Sequence, residues 1–339
     1  MNILIALLVL GIIIIIHELG HFLAARLFKM PISEFAIGMG PEIYSYYGGR
    51  TSYSLRAIPI GGYVNIDGME VDSKVKNGFN SKTPFQRFVV LFAGVFMNFT
   101  LAYIAIFMML LISGKAIQNH EPVIGEVMKQ ANITSVLEKG DKIKSIDGIE
   151  INKWEDIGKA VQDASKKTEN PPIVIEREGK DLSINAPLTK AENDRYMLGI
   201  VPEYSIQKYG VIDAAGASFK MFGSMFKETL NGLKMLVTGK VKAKEISGPV
   251  GIVKIVGEVS KSGGLVMFWL IAILSVNVGI FNLLPFPALD GGRIIFVILE
   301  MVGIKVNKKL EEKFHMIGMF ILFGLIIFAT ANDLFNLSH

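Results

Sequence analysis

Residues 3 to 16 are fourteen consecutive apolar or glycine positions, and after His17, Glu18 and His21 the apolar character resumes from Phe22 to Phe28. Three more uncharged runs follow, Phe88 to Gly114, Ser262 to Leu289 and Met316 to Asn332. Helices of this length cross a hydrocarbon core about 30 Å thick. The pattern therefore predicts four spans, over 1–28, 85–114, 262–292 and 315–333, with both termini on one side. A cleaved signal peptide is the alternative for the first run, but the chain starts Met-Asn without a basic leader, and no small-x-small cleavage site follows.

Between the spans the period changes. In the segment 29–84, Glu42 to Tyr47 and Arg50 to Arg56 alternate around Gly48-Gly49 as a β-hairpin, and Gly61-Gly62-Tyr-Val-Asn-Ile suggests a further strand. Such a sheet either packs passively beside the first span or offers an edge that holds an extended peptide. Residues 118–203 are charged and turn-rich, long enough for one small domain. Over 204–261, Phe219, Phe222, Phe226, Leu230 and Leu233 recur at helical spacing. These amphipathic helices either lie on the outer membrane surface or pack on the small domain. Residues 293–314 read as a loop. The fold class predicted is a polytopic α-helical membrane protein with a membrane-associated β-hairpin region and one extracytoplasmic α+β domain.

Composition agrees with that class: of 339 residues, 51% are hydrophobic and 19% charged, and the mean hydropathy is +0.43. Cysteine is absent, which excludes disulfides, thiolate metal sites and cysteine nucleophiles. The net charge of +4 is thinly spread, with no basic stripe interleaved with aromatics, so nucleic acid is not an expected partner. Arg26, Lys29, Arg50, Arg56 and Arg87 flank the first two spans, and Arg293, Lys305, Lys308, Lys309 and Lys313 lie between the last two. The positive-inside rule makes both connections cytoplasmic and residues 115–261 external.

The chemistry enters at the polar break in the first run. His17 and His21 are four residues apart, on one helix face, and Glu18 stands beside them, an arrangement suited to two metal ligands and a general base. A catalytic zinc commonly has a third protein ligand. His120 and His339 belong outside and His315 opens the fourth span, whereas Asp290 closes the third run just after Pro285 and Pro287 break its helix. Depth agrees, since fourteen residues place His17 about 21 Å into the core, at the end where Asp290 arrives. The competing readings are a buried His–Glu pair joining helices and an Asp290 that merely caps the next helix.

Two long motifs, His17-Glu18-Leu-Gly-His21 and Asn282-Leu-Leu-Pro-Phe-Pro-Ala-Leu-Asp290-Gly, resemble those of the site-2 proteases, the intramembrane zinc metalloproteases, of the bacterial branch with a PDZ domain. Phe35-Ala-Ile-Gly-Met-Gly-Pro and Ile58-Pro-Ile-Gly-Gly-Tyr-Val are similar to that family's β-region. Ala93-Gly-Val-Phe-Met-Asn98 is similar to its second-span motif, with Val where relatives often have Pro, and Ser247-Gly-Pro-Val-Gly-Ile to its approach to the third span. The Gly-Asp-x-Ile-x-x-Ile-x-Gly series from Gly140 and Met197-Leu-Gly-Ile resemble a single PDZ domain.

The resemblance implies one zinc ion held by His17, His21 and Asp290, with Glu18 as the catalytic proton carrier. It also implies substrate contacts at Asn98, Asn282, Gly61 and Gly62, with interhelical hydrogen bonding as the alternative for the two asparagines. The substrates implied are single-pass membrane proteins, already shortened by another protease, in the bacterial cell membrane, with the lipid bilayer as the other partner. A metal transporter and a silent scaffold are the alternatives from other classes; the first predicts a second set of intramembrane carboxylates, which the sequence lacks, and the intact His-Glu-x-x-His argues against the second.

Overall fold

The computed structural model describes residues 2–70, 73–128, 136–190, 195–241, 248–304 and 307–338. Ser247, Lys305 and His339 lie outside the described residues. The chain divides into two compact units, residues 113–209 and the remainder.

In the larger unit the first apolar run is one helix, α1 (Asn2–Leu27), followed by two long strands, β1 (Ile32–Gly48) and β2 (Thr51–Ile66). The tip is a two-residue turn, with Gly48 opposite Thr51 and Gly49 at φ 77°, the left-handed geometry that such a turn demands. The separate strand expected from Gly61 is instead the second half of β2. The strands fold back so that the first half of β1 lies between two stretches of β2: Phe35 faces both Val64 and Tyr53, and Ile37 faces both Gly62 and Leu55. Glu34 ties the layers together, accepting from Ser54 Oγ at 2.5 Å, Arg56 at 2.6 Å and Tyr63 Oη at 2.6 Å. The stretch Gly61–Ile66 is left as the sheet's outer edge.

The second run forms α2 (Pro84–Ser113). It crosses α1 in close contact, because a Cβ on Gly20 would lie 2.3 Å from the Ala93 carbonyl oxygen. Phe22, Ala25, Ile32, Phe35, Ile66, Val90 and Leu91 form one buried cluster from α1, the sheet and α2.

Residues 113–209 form the other unit. Its strands are β3 (Lys115–Gln118), β4 (Ile124–Val127), β5 (Lys142–Ile146), β6 (Ile149–Glu150), β7 (Pro172–Arg177) and β8 (Lys180–Asn185), with α3 (Trp154–Ser165) between β6 and β7. Then come β9 (Thr189–Lys190), β10 (Tyr196–Met197), β11 (Ile200–Pro202) and β12 (Tyr204–Gln207). A four-stranded sheet of order β6-β5-β7-β8, with β11 on β4, encloses Ile124, Ile143, Ile146, Ile173 and Ile175 against Ile157 and Val161 of α3. The unit is wider than the expected 118–203, because β3 and β12 pair outside those limits.

Back in the larger unit, the amphipathic segment is one helix, α4 (Val211–Val237), followed by the short α5 (Pro249–Val259) and by α6 (Gly264–Leu283). Within this unit α4 packs on the helix bundle. Phe222, Phe226 and Leu233 pack on Ala102, Ala105 and Ile106 of α2 and on Ala272, Val276 and Ile280 of α6, while Phe219 and Leu230 face outward. Small residues on α2 and α6 open the groove that these rings fill. Thr229 adds a polar link, donating to Asn277 Oδ1 at 2.7 Å.

The third run is not helical to residue 292. Backbone without N–H donors at Pro285 and Pro287 ends α6 at Leu283, and a new helix, α7 (Asp290–Met301), occupies what was expected to be a loop. Ile294 and Val297 seat α7 on the cluster between α1 and α2, and Glu300 pairs with the buried Arg87. The last helix is α8 (Lys308–Ser338), whose buried Asp333 accepts from the Gly248 and Gly251 N–H groups at 2.9 and 2.8 Å and so caps α5. Among the described residues four helices are long and apolar enough to cross a membrane: Leu4–Leu27, Pro84–Ser113, Gly264–Leu283 and Lys309–Asp333.

Candidate metal centre

Two turns of α1 and the start of α7 bring three ligand atoms together. His17 Nε2 lies 3.0 Å from Asp290 Oδ2, His21 Nε2 lies 3.2 Å from the same oxygen, and the two imidazole nitrogens are 3.2 Å apart. Ligands 2.0–2.1 Å from a tetrahedral ion are separated by about 3.3–3.4 Å, so the observed triangle matches a zinc donor set. Among the described residues it is the group of His and carboxylate side chains that can hold a metal. The unwound stretch between α6 and α7 makes the approach possible. A Cβ on Gly291 would meet the Leu283 and Leu284 carbonyl oxygens at 2.3 Å, and one on Gly292 the Phe286 oxygen at 2.4 Å, so only glycines let the chain turn this tightly behind Asp290.

The outer partners of the histidines settle their tautomers. His21 Nδ1–H donates to the Val90 carbonyl at 2.8 Å, which leaves Nε2 with its lone pair toward the centre. His17 Nδ1 is 3.1 Å from the Asn98 side-chain amide, and Asn98 Oδ1 is a buried polar atom with no partner in that orientation. Assigning His17 Nε2 to a metal fixes the direction of this contact. The proton then resides on Nδ1, and an amide turned end for end presents Oδ1 as its acceptor. Thus the residues present fit a zinc ion: three donors at tetrahedral spacing, with the outer nitrogen of each imidazole engaged so that Nε2 faces the centre.

Asn98 is fully buried and stands behind His17, not in the cavity, because residues four apart on α2 share the face that packs on α1. Its side chain meets His17 and does not line the cavity, a place suited to positioning that ring. Asn98→Ala is expected to weaken zinc binding about 10–100-fold, the range for loss of a partner that orients a ligand; competition with a zinc chelator measures it, and unchanged affinity would remove this role.

Glu18 faces a cavity of about 270 Å³ together with His17, His21 and Asp290, and its Oε2 accepts from the Val64 N–H at 3.1 Å. Val64 and Ile66, on the outer edge of β2, line the same space, as do Asn282 and Arg293. Gly61 and Gly62 lie farther along that edge, outside the cavity lining. Gly61 has φ 86°, and a Cβ on Gly62 would sit 2.8 Å from the Ala36 oxygen and 3.9 Å from Glu18 Cγ. The two glycines thus permit close approach of backbones beside the base.

Several participants escape sequence reading. A Cβ on Gly94 would lie 2.4 Å from His21 Nε2 and 2.9 Å from His17 Cε1; its signals in the sequence are its place in the second-span motif and the four-residue step to Asn98. His315 was set aside as the start of a span, yet its Nδ1 accepts from the Ala288 N–H at 3.1 Å, where Ala288 holds a left-handed φ of 74° two residues before Asp290. Arg293, read only as a topology charge, reaches Met69 Sδ at 3.1 Å and lines the same cavity as Glu18. Val64 appears in the sequence only as part of a quoted motif, with nothing to link its N–H to Glu18.

Residues 5–325 match the model of peptidase family M50. The chain belongs to that family. A Fusobacterium nucleatum protein provisionally named a zinc metalloprotease is 50% identical over 338 residues, 99% of each chain. The regulator of sigma-W protease RasP of Bacillus subtilis is 29% identical over 408 residues, covering 96% of each chain. A PDZ domain of an SdrC-like protein from Listeria monocytogenes aligns over 25% of this chain and 90% of its own, at 20% identity and a TM-score of 0.22. As a member of M50, the site-2 protease family, the chain is an integral-membrane zinc metalloprotease, and the triangle of His17, His21 and Asp290 is where this chain places a metal donor set.

Proposed function

We propose that this M50 protease cuts peptide bonds within the membrane-spanning segments of single-pass proteins, in the manner of regulated intramembrane proteolysis, with one zinc ion held by His17, His21 and Asp290. The observation that carries the reading is a single cavity shared by a zinc donor set, two of whose three ligands lie on a candidate membrane span, with the Glu18 carboxylate and a sheet edge.

When bound, zinc supplies a Lewis-acid charge that acidifies water toward a pKa near 7 and polarises the scissile carbonyl. The residues of the chain do the rest. Glu18 Oε1 is free to take a proton while the Val64 N–H holds Oε2, and the same carboxyl then delivers that proton to the leaving amine. Asn98 and the Val90 carbonyl keep the imidazoles in register. The edge Gly61–Ile66 pairs with the substrate backbone, which must be extended before its bonds are accessible, because a helix hides them. Gly61 and Gly62 keep that edge close to Glu18, and Asn282 contacts the substrate from the opposite wall.

In this reading the charged connections lie in the cytoplasm of a bacterial cell, the metal is nearer the cytoplasmic face, and residues 113–209 stand outside as a PDZ-type size filter. Substrates are then remnants of prior cleavage, such as anti-sigma factors or signal peptides. The test is a tagged single-pass protein co-reconstituted with the enzyme in vesicles. We expect cleavage inside its span, lost on treatment with 1,10-phenanthroline and restored by zinc; cleavage unaffected by the chelator would sink the mechanism. Deleting residues 120–203 is expected to admit substrates with intact external domains, and if these stay uncut the filter role fails.

A further inference from the structure

The candidate span Leu4–Leu27 ends at a cavity of about 350 Å³ that has no part in the chemistry of Glu18. Four cations from three separate stretches surround it: Arg26 and Lys29 at the end of α1, Arg50 in the hairpin turn, and Lys76 after β2. Among the described residues no acidic side chain lines it. Among the described residues none of the four forms an ion pair, and the one contact of their charged groups is Arg26 over the Phe22 ring at 5.3 Å. Four like charges gathered without a counterion repel one another unless an anion joins them.

The backbone at the same place is unusual. Lys29 ends α1 at φ 55°, with the Met30 N–H reaching the Ala25 carbonyl at 2.9 Å, in the position where glycine is the ordinary helix terminator. Asn77, also on the cavity, has φ 62°. Left-handed non-glycine residues are costly and collect at binding sites. At Lys29 the chain retains a charged side chain where a residue without one would be easier to accommodate.

We propose that this cavity binds the phosphate of an acidic phospholipid headgroup at the membrane boundary. The position selects a lipid over a soluble anion: the cavity adjoins the last turn of a membrane span, and exposed Leu23 and Leu27 on that turn offer apolar surface to acyl chains. A phosphate there joins the end of α1, which carries Glu18, to the hairpin turn and to the segment leaving β2, which carries Val64. The inference rests on the chain being an integral membrane protein and is independent of the proposed substrates.

The experiment uses the full-length chain in a neutral detergent and counts bound lipid by native mass spectrometry, with phosphatidylglycerol and phosphatidylcholine as probes. One phosphatidylglycerol per chain is expected to survive conditions that strip phosphatidylcholine. Each basic residue at such a surface contributes about 1 kcal/mol, so Lys29→Gln with Lys76→Gln should weaken retention about thirtyfold. Lys227→Gln with Lys234→Gln on α4, away from the cavity, should leave it unchanged, and zinc content reports that each variant is folded. Equal retention of the two lipids by the unaltered chain would overturn the proposal without recourse to any variant. So would full displacement of phosphatidylglycerol by millimolar inorganic phosphate, which would mark a site for soluble phosphate, or a folded Lys29/Lys76 variant that binds as the parent does.

Discussion

Glu18→Gln is expected to keep its zinc and its fold while peptide hydrolysis falls by about 10²–10⁴-fold, the usual contribution of a positioned general acid–base group. The geometry makes this substitution clean. Glu18 Oε2 accepts from the Val64 N–H, and a glutamine oxygen accepts the same bond in the same place, so the sheet edge stays where it is. What disappears is the second oxygen as a proton acceptor. None of the three ligand atoms belongs to Glu18, so metal content should match the parent. The measurement pairs zinc stoichiometry with the rate of cleavage of a reconstituted single-pass substrate. A rate within tenfold of the parent would mean that the proton is carried by another group, while loss of zinc would mean that the carboxylate acts through the metal site.

Gly94→Ala should have an effect of comparable size by a different route. The added methyl would stand 2.4 Å from His21 Nε2 and 2.9 Å from His17 Cε1, well inside contact distance. Neither ring can step aside freely, because His21 is fastened to the Val90 carbonyl and His17 to Asn98. The helices cannot separate cheaply either, since α1 and α2 already touch through Gly20 and the Ala93 carbonyl. The rings must therefore leave the triangle or the helix pair must open, and we expect zinc affinity to drop by at least about 10–100-fold, as when a ligand loses its orientation, with activity lost in parallel. Gly223→Ala on α4, where nothing lies within 4 Å of the new methyl, is the control for a glycine replaced in a helix of the same unit. Parent-like zinc affinity in Gly94→Ala would show that the packing at this crossing is looser than the distances imply.

Both substitutions mark where reading the sequence stopped. The pair His17 and His21 was visible because helix periodicity alone puts them on one face, and Glu18 comes with them. Asp290 was visible because prolines announce broken backbone at a matching depth. Gly94 was quoted within a motif and given no task, since a glycine in an apolar helix looks the same whether it faces lipid or an imidazole. For Asn98 the sequence left substrate contact and interhelical bonding both open, because a lone amide in a span signals function without saying which way it faces. The sequence left the partner of α4 open between a membrane surface and the small domain, because an amphipathic stripe does not say what it meets; the contact with α2 and α6 came only from the structure.

What the sequence by itself determined is everything set by local period and by the absence of polar groups. That covers the four spans, the two imidazoles one turn apart, the hairpin turn at Gly49 and the helix break before Asp290. Only the tertiary structure decided that α7 follows the break, that Asn98 braces His17 from 81 residues away, and that the Val64 N–H holds Glu18 across 46. The physical reason is that these depend on which backbones come within hydrogen-bonding range of one another. That distance is fixed by the packing of Gly20 on Ala93 and of Ile66 and Val90 in a shared core, and neither leaves a trace in the order of residues along a single helix or strand.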